Sequence, residues 1–348
     1  LEQALLMEHR NEKMRVGLIG LGKMGAIRAG VLSSREDVEL VCAYDPAPQE
    51  FHAAYPGVAL AESADAVIAS DVDAVFIATP NKHTPGLVVA ALEAGKHVFC
   101  EKPPGRGVAD IERIRTAEAA APQCRLKFGF NHRYHAGIQE AKRIVDSGRL
   151  GQLLWARAVY GKAGGPGFES GWRSDPDLAG AGILLDQGIH MLDLLHWFFG
   201  AFAEVKSMVT TAYWNVGVED NAFALLRDAQ GRIAQVHSSS TQWKHRFMLE
   251  LYLSEGYLSV NGILSSSRSY GDETITVARR RFDPGFSTGA PTEETIYFDN
   301  DPSWEREVED FVQCVREGSP VELGNSTQAL EAMRLVAAIY AGDGAPSK

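Results

Sequence analysis

The chain has 348 residues, 45% hydrophobic and 23% charged, which is enough for two globular domains with well-filled cores. Its formal net charge of -11 lacks the excess of Lys and Arg that nucleic acid or an anionic membrane surface demands, so neither is expected as a partner. Cys42, Cys100, Cys124 and Cys314 lie far apart, without the paired spacing of a zinc site, a redox dithiol or a disulfide framework, and read as buried thiols in a reducing compartment.

Residues 1–13 carry Glu2, Glu8, His9, Arg10, Glu12 and Lys13, which leaves no apolar core for a signal peptide. With Met7 and Met14 as alternative starts, the segment reads as a leader or an expression remnant. No uninterrupted apolar run reaches the roughly 18 residues of a membrane span, and a cytoplasmic protein is expected.

Val16, Leu18 and Ile19 form a short apolar run suited to a buried strand, which breaks into Gly20-Leu21-Gly22-Lys23-Met24-Gly25 ahead of a helix-prone segment. This is a G-x-G-x-x-G turn. Gly20 permits the tight turn, Gly22 lets backbone approach a pyrophosphate, Gly25 lets helix and sheet close up, and the anion rests on the helix N-terminus with Lys23 and Met24 beside it. A second strand, Val38 to Tyr44, ends in Asp45, 20 positions after Gly25, where an acid hydrogen-bonds the adenosine ribose and repels a 2′-phosphate. The expected cofactor is NAD.

Strand and helix then alternate, as in a doubly wound parallel sheet: a strand at Asp73 to Thr79, a polar turn through Pro80-Asn81-Lys82-His83, and a helix from Gly86 to Ala94. His97 to Cys100 is the next strand and ends in Glu101-Lys102-Pro103-Pro104. Val108 to Ala121 reads as helix and Leu126 to Phe130 as strand. A helix from about Ala136 to Ser147 follows Asn131-His132-Arg133-Tyr134.

Beyond it the pattern changes. Gln152 to Tyr160, Glu204 to Tyr213, Asn221 to Arg227, Arg232 to Ser240, Phe247 to Ser254 and Tyr257 to Val260 are expected strands of a largely antiparallel sheet, interrupted by one helix, Gly182 to Phe199. Trp304 to Glu317 and Thr327 to Ala341 are helices. The expected fold is α/β: an N-terminal Rossmann domain over 14–131, an α+β substrate and oligomerisation domain over 132–302, and closing C-terminal helices over 303–348. Within the interrupting helix Asp186 and His190 stand four apart, on one helical face. Spacing suggests no third ligand for a metal, and none is expected.

These features together resemble the Gfo/Idh/MocA oxidoreductases, the group of glucose-fructose oxidoreductase and inositol 2-dehydrogenase. The matching stretches are Gly20 to Gly25, Ala78-Thr79-Pro80-Asn81 with His83, Glu101-Lys102-Pro103, Asn131-His132-Arg133, and Gly182 through Asp186 to His190. Their order and spacing span residues 15 to about 200. Ala181 stands where the family often has glycine. The resemblance implies that Lys102, Asp186 and His190 are the catalytic group. It also implies that Thr79, Pro80, Asn81, His83, Glu101 and Asn131 line the cofactor, that Trp172-Arg173 approaches nicotinamide or substrate, and that Arg133, Tyr134 and Tyr160 meet substrate.

The chemistry agrees. Oxidising a secondary alcohol sends a hydride to the nicotinamide and the hydroxyl proton to a base, a role His190 fills near neutral pH while Asp186 orients it and Lys102 stabilises the reacting oxygen. A desolvated Lys102 is the alternative base. The implied substrate is a sugar, inositol or nucleotide sugar, and Arg133, Lys162 and Arg173 suggest one carrying a phosphate or carboxylate. Two rival functions are a redox-neutral enzyme of lyase or glycosidase type with retained NAD, and a non-catalytic NAD-binding sensor. By analogy the second sheet pairs subunits into a homodimer or homotetramer.

Overall fold

The structure is a computed structural model that describes residues 13–342 except 49, 266, 283, 284, 286 and 287. The expected leader at 1–13 therefore lies, but for Lys13, outside the described residues, as does the end of the chain beyond 342. The chain divides into two compact units, one of residues up to Phe130 with Trp304–Leu330, the other of Asn131–Ser303 with the residues from Glu331 on. The C-terminal helices are thus shared between the units and do not form the separate closing segment expected for 303–348.

In the first unit the elements run β1 (Met14–Ile19), α1 (Lys23–Ser33), β2 (Val38–Tyr44), α2 (Phe51–Ala54), β3 (Ala59–Leu60) and α3 (Ala64–Ala69). They continue through β4 (Ala74–Ile77), α4 (Thr84–Glu93), β5 (His97–Cys100), α5 (Val108–Ala120) and β6 (Leu126–Phe128). All six strands are parallel, in the order β3-β2-β1-β4-β5-β6. Strand order reverses between β1 and β4, and the crevice outside the carboxyl ends at such a point is where ligands bind in doubly wound sheets. Buried on both faces, the central strands are apolar throughout: Ala74, Val75, Phe76 and Ile77 of β4 are each at most 1% exposed. Phe76 and Phe99 stack at 4.7 Å, and Phe311, reaching in from the C-terminal stretch, meets both edge-on at 5.6 Å. That aromatic contact explains why residues 304–330 belong to this unit.

The second unit begins with a 3-10 turn, Asn131–Tyr134, and contains α6 (Ala136–Asp146), β7 (Leu153–Gly161), a 3-10 turn at Trp172–Ser174 and α7 (Pro176–Ala179). A π turn at Leu184–Gly188 leads straight into α8 (Ile189–Phe199). Seven strands follow: β8 (Phe202–Thr210), β9 (Asn221–Asp228), β10 (Ile233–Ser239), β11 (Arg246–Leu253), β12 (Gly256–Asn261), β13 (Glu273–Arg279) and β14 (Glu293–Phe298). They form one eight-stranded sheet with β7, ordered β14-β13-β12-β11-β7-β10-β9-β8, antiparallel at every step but β7–β10. Two helices bridge the division of the chain, α9 (Ser303–Glu317) and α10 (Ser326–Gly342). β13 and β14 were not expected from the sequence.

α8 packs its apolar residues on the inner face of this sheet, where Ala156 and Ala158 of β7 and Ala234 and Val236 of β10 leave room for a helix; Leu192, Leu194 and Leu195 are fully buried. The stretch Pro176–Phe199 is long and apolar enough by length and composition alone to cross a membrane, but 72% of its 18-residue apolar window is buried inside the protein. A core helix meets the same test. The other sheet face leaves Met208, Phe223, Leu225 and Ile233 exposed.

Candidate active site

The glycine turn takes the form its sequence demands. Gly20 has φ +93°, and a Cβ there would lie 2.4 Å from the Ala78 carbonyl oxygen; a Cβ at Gly25 would lie 1.9 Å from the Gly20 oxygen. Both are required by packing. Gly22 is different: a Cβ there would meet nothing of the chain within 4 Å. A bare backbone at Gly22 serves something laid on the turn from outside. α1 starts at this point with no side-chain cap and no acid in its first turn, so its N–H groups and dipole favour an anion. The cradle fits a dinucleotide's pyrophosphate.

Asp45, at the end of β2, locks this turn in place: its Oδ2 accepts the Leu21 N–H at 2.8 Å and its Oδ1 the Ala47 N–H at 2.9 Å. Along the same sheet edge, Thr79 and Thr84 share a hydroxyl contact of 3.1 Å, the His83 N–H bonds the Pro80 carbonyl at 2.9 Å, and Asn81 is buried. These residues follow β4, and Glu101 and Lys102 follow β5. All the expected cofactor residues of the first unit therefore sit at the carboxyl ends of parallel strands.

Sequence reasoning missed what holds Glu101. The fully buried Arg28 of α1 donates to Glu101 Oε1 at 2.7 Å and to Glu307 Oε2 of α9 at 2.5 Å, with the Phe99 and Trp304 rings 4.4 and 4.7 Å from its guanidinium carbon. One cation faces two carboxylates. Burial, reinforced by Glu101, pushes the Glu307 carboxyl up to about 7 although Arg28 opposes it, and Glu307 Oε1 has no hydrogen-bond partner.

In the second unit, Arg133 corrects an expectation. It is fully buried and gives Asp193 a two-pronged hydrogen bond, 2.7 Å at each prong, with its guanidinium 5.2 Å from the Trp197 ring. It ties the 3-10 turn to α8, and its charge is spent inside the unit, so it leaves the expected substrate set. Asn131 donates to Ser303 at 3.2 Å and its Oδ1 meets His132 Nδ1 at 3.1 Å. Tyr134 is buried. His132, which sequence reasoning quoted within the motif but gave no role, stacks on His190 with ring centroids 3.7 Å apart and planes 19° from parallel.

The helix bearing Asp186 and His190 is not regular. Asp186 lies within the π turn and His190 in the α-helix after it, so the two are not spaced along one regular α-helix as their positions predict. Lys162 Nζ reaches Asp186 Oδ2 at 2.8 Å and Arg173 Nε reaches Oδ1 at 3.0 Å, while the Arg173 guanidinium stacks over Trp172 at 4.4 Å. Lys162, named from sequence only as a substrate-facing charge, and Arg173 thus both end on a carboxylate of the chain itself. Next to Asp186, Gln187 donates to the Tyr270 hydroxyl at 3.2 Å, and Tyr160 and Tyr270 are hydrogen-bonded with ring centroids 5.3 Å apart. Burial pushes both phenols up, so they stay protonated donors. No motif marks Tyr270 or Gln187.

Two family descriptions match the chain, "Oxidoreductase family, NAD-binding Rossmann fold" over residues 14–130 and "GFO/IDH/MocA C-terminal domain" over 138–259. The chain belongs to the Gfo/Idh/MocA oxidoreductase family. It is 25% identical to inositol 2-dehydrogenase of Rhizobium meliloti (strain 1021), covering 88% of this chain and 90% of that one. To D-glucoside 3-dehydrogenase of Escherichia coli (strain K12) it is 27% identical over 94% of each. A solved structure of levoglucosan dehydrogenase, in complex with NADH and levoglucosan, shares the fold with a TM-score of 0.83 at 21% identity, covering 96% of this chain and 98% of that one.

Proposed function

We propose that the protein is an NAD-dependent dehydrogenase that oxidises a secondary alcohol of an uncharged sugar, inositol or other cyclic polyol. The observation that carries the substrate class is the pairing of both Lys162 and Arg173 with Asp186. A site for a phosphate or carboxylate would leave those cations for the ligand. Beside the paired Asp186 carboxylate stand neutral hydrogen-bonding groups, Gln187, Tyr160 and Tyr270, the kind that recognise hydroxyls. The expected lean to an anionic sugar is withdrawn on that ground.

Bound NAD supplies the hydride acceptor. In this reading Gly22 and the first turn of α1 hold its pyrophosphate and Asp45 its adenosine ribose, which favours NAD over NADP. His190 takes the hydroxyl proton, Asp186 supports the charge that the imidazole gains, and Lys102 donates to the reacting oxygen. The names of the relatives support a dehydrogenase over the redox-neutral alternative. The same reading assigns the protein to the cytoplasm, consistent with four free buried cysteines, and to a homo-oligomer built on the exposed sheet face.

The test is turnover by Lys102→Ala and His190→Ala with a polyol that the wild type oxidises. Each should lower kcat by roughly 100-fold to 10,000-fold, as expected for losing a general acid or base. Near wild-type turnover in both would end this mechanism.

A further inference from the structure

The π turn ahead of α8 is an uncommon conformation that persists only where its surroundings dictate it, and such turns concentrate at functional sites. Within the second unit two other segments hold it. At its start, the half-buried Glu219 on the loop before β9 accepts the Gly182 N–H on Oε2 at 2.7 Å and the Leu184 N–H on Oε1 at 2.9 Å, while its own carbonyl accepts the Ile183 N–H at 3.2 Å. The Tyr340 hydroxyl of α10 adds a third donor to Oε1 at 2.7 Å. A Cβ at Gly182 would lie 1.9 Å from the Glu219 carbonyl oxygen, so only glycine lets the chain seat there. Ser238 of β10, which a Cβ at Gly188 would approach to 3.0 Å, donates its hydroxyl to the Ile183 carbonyl at 3.2 Å, again at the start of the turn.

We propose that Glu219, braced by Tyr340, is a positioning residue that holds the π turn and so fixes Asp186 relative to His190. The inference rests on the reading of those two as catalytic. The chemistry requires a carboxylate: two backbone N–H groups and a phenol need two acceptor oxygens, whereas Gln offers one and turns an amino group toward the other donor. An anion at the start of a helix also suits its dipole. Burial raises the carboxyl above its usual range, and the three donors work against that rise. Without this anchor the turn can relax to α-helix, and one residue of register rotates Asp186 about 100° around the axis relative to His190.

The test is an NMR titration of the His190 imidazole in the full chain with NAD present, its signal assigned by its loss in His190→Ala. In Glu219→Gln the His190 midpoint should move by about half a pH unit or more, as the nearby carboxylate shifts. Tyr340→Phe should move it in the same direction by less. An unmoved midpoint in folded Glu219→Gln overturns the proposal. If that variant does not fold, Tyr340→Phe decides, and an unmoved midpoint there overturns it equally. Because the titration needs no turnover, it is independent of the alanine variants: retained turnover in Lys102→Ala and His190→Ala would sink the catalytic reading whatever the midpoint does.

Discussion

Asp45 bears on the proposed choice of NAD over NADP. Asp45 spans both readings available from sequence: its two oxygens hold the backbone of the glycine turn, and the same carboxylate stands where an adenosine ribose is expected. Asp45→Ser should therefore improve kcat/KM with NADP relative to NAD by about tenfold, or roughly 1.4 kcal/mol, in steady-state assays with each cofactor. An unchanged ratio would leave Asp45 as a turn residue only. The glycines were legible because the G-x-G-x-x-G spacing is written within six residues, even though the atoms that crowd Gly20 belong to the distant Ala78. Arg133 carries no such local pattern. Its partner Asp193 is 60 positions away, and only folding shows that its charge is neutralised.

At the scale of elements, the parallel strands and their turns could be read because apolar runs bounded by Gly and Pro carry the pattern within themselves. The π turn could not. Gly182 to Phe199 is helical by composition, and the departure is imposed by Glu219 and Ser238 from other parts of the chain. β14 escaped because it is exposed along nearly its whole length and lacks a buried stripe. The α1–β5–α9 triad was equally hidden, since Arg28 and Glu307 are 279 positions apart. It makes a pH prediction. Glu307 titrates near 4.5 when unfolded and near 7 when folded, so between those values the folded state binds more protons and stability falls as pH rises. Wild type should lose on the order of 1 kcal/mol per pH unit through that window relative to Glu307→Gln, read from denaturant midpoints at several pH values. Parallel curves for the two proteins would show that Glu307 stays ionised.

The whole molecule adds a surface. The eight-stranded sheet buries one face under α8 and leaves on the other Met208 at 74% exposure and Leu225 at 53%, an unusual outlay of apolar area for a face that stays wet. If copies of the chain pair through it, Leu225→Glu should reduce the mass seen by light scattering to that of a monomer, with cofactor binding kept. A wild type that is itself monomeric would contradict this. The strand pattern of the sequence changes near residue 131, and the two compact units part between Phe130 and Asn131. The sharing of the C-terminal helices is not visible in sequence, because α9 reads as an ordinary amphipathic helix until Phe311 is seen against Phe76 and Phe99.

The central claim concerns both the cofactor and the charge of the substrate. The most direct measurement is NADH formation by the purified full chain across paired substrates, each neutral sugar or inositol beside its phosphorylated or carboxylated counterpart. The account predicts NADH from at least one neutral polyol, with kcat/KM at least tenfold above its anionic partner, since Lys162 and Arg173 both end on Asp186 and the neutral donors suit hydroxyls. Turnover confined to the anionic members, or reduced cofactor only from NADP, would contradict it.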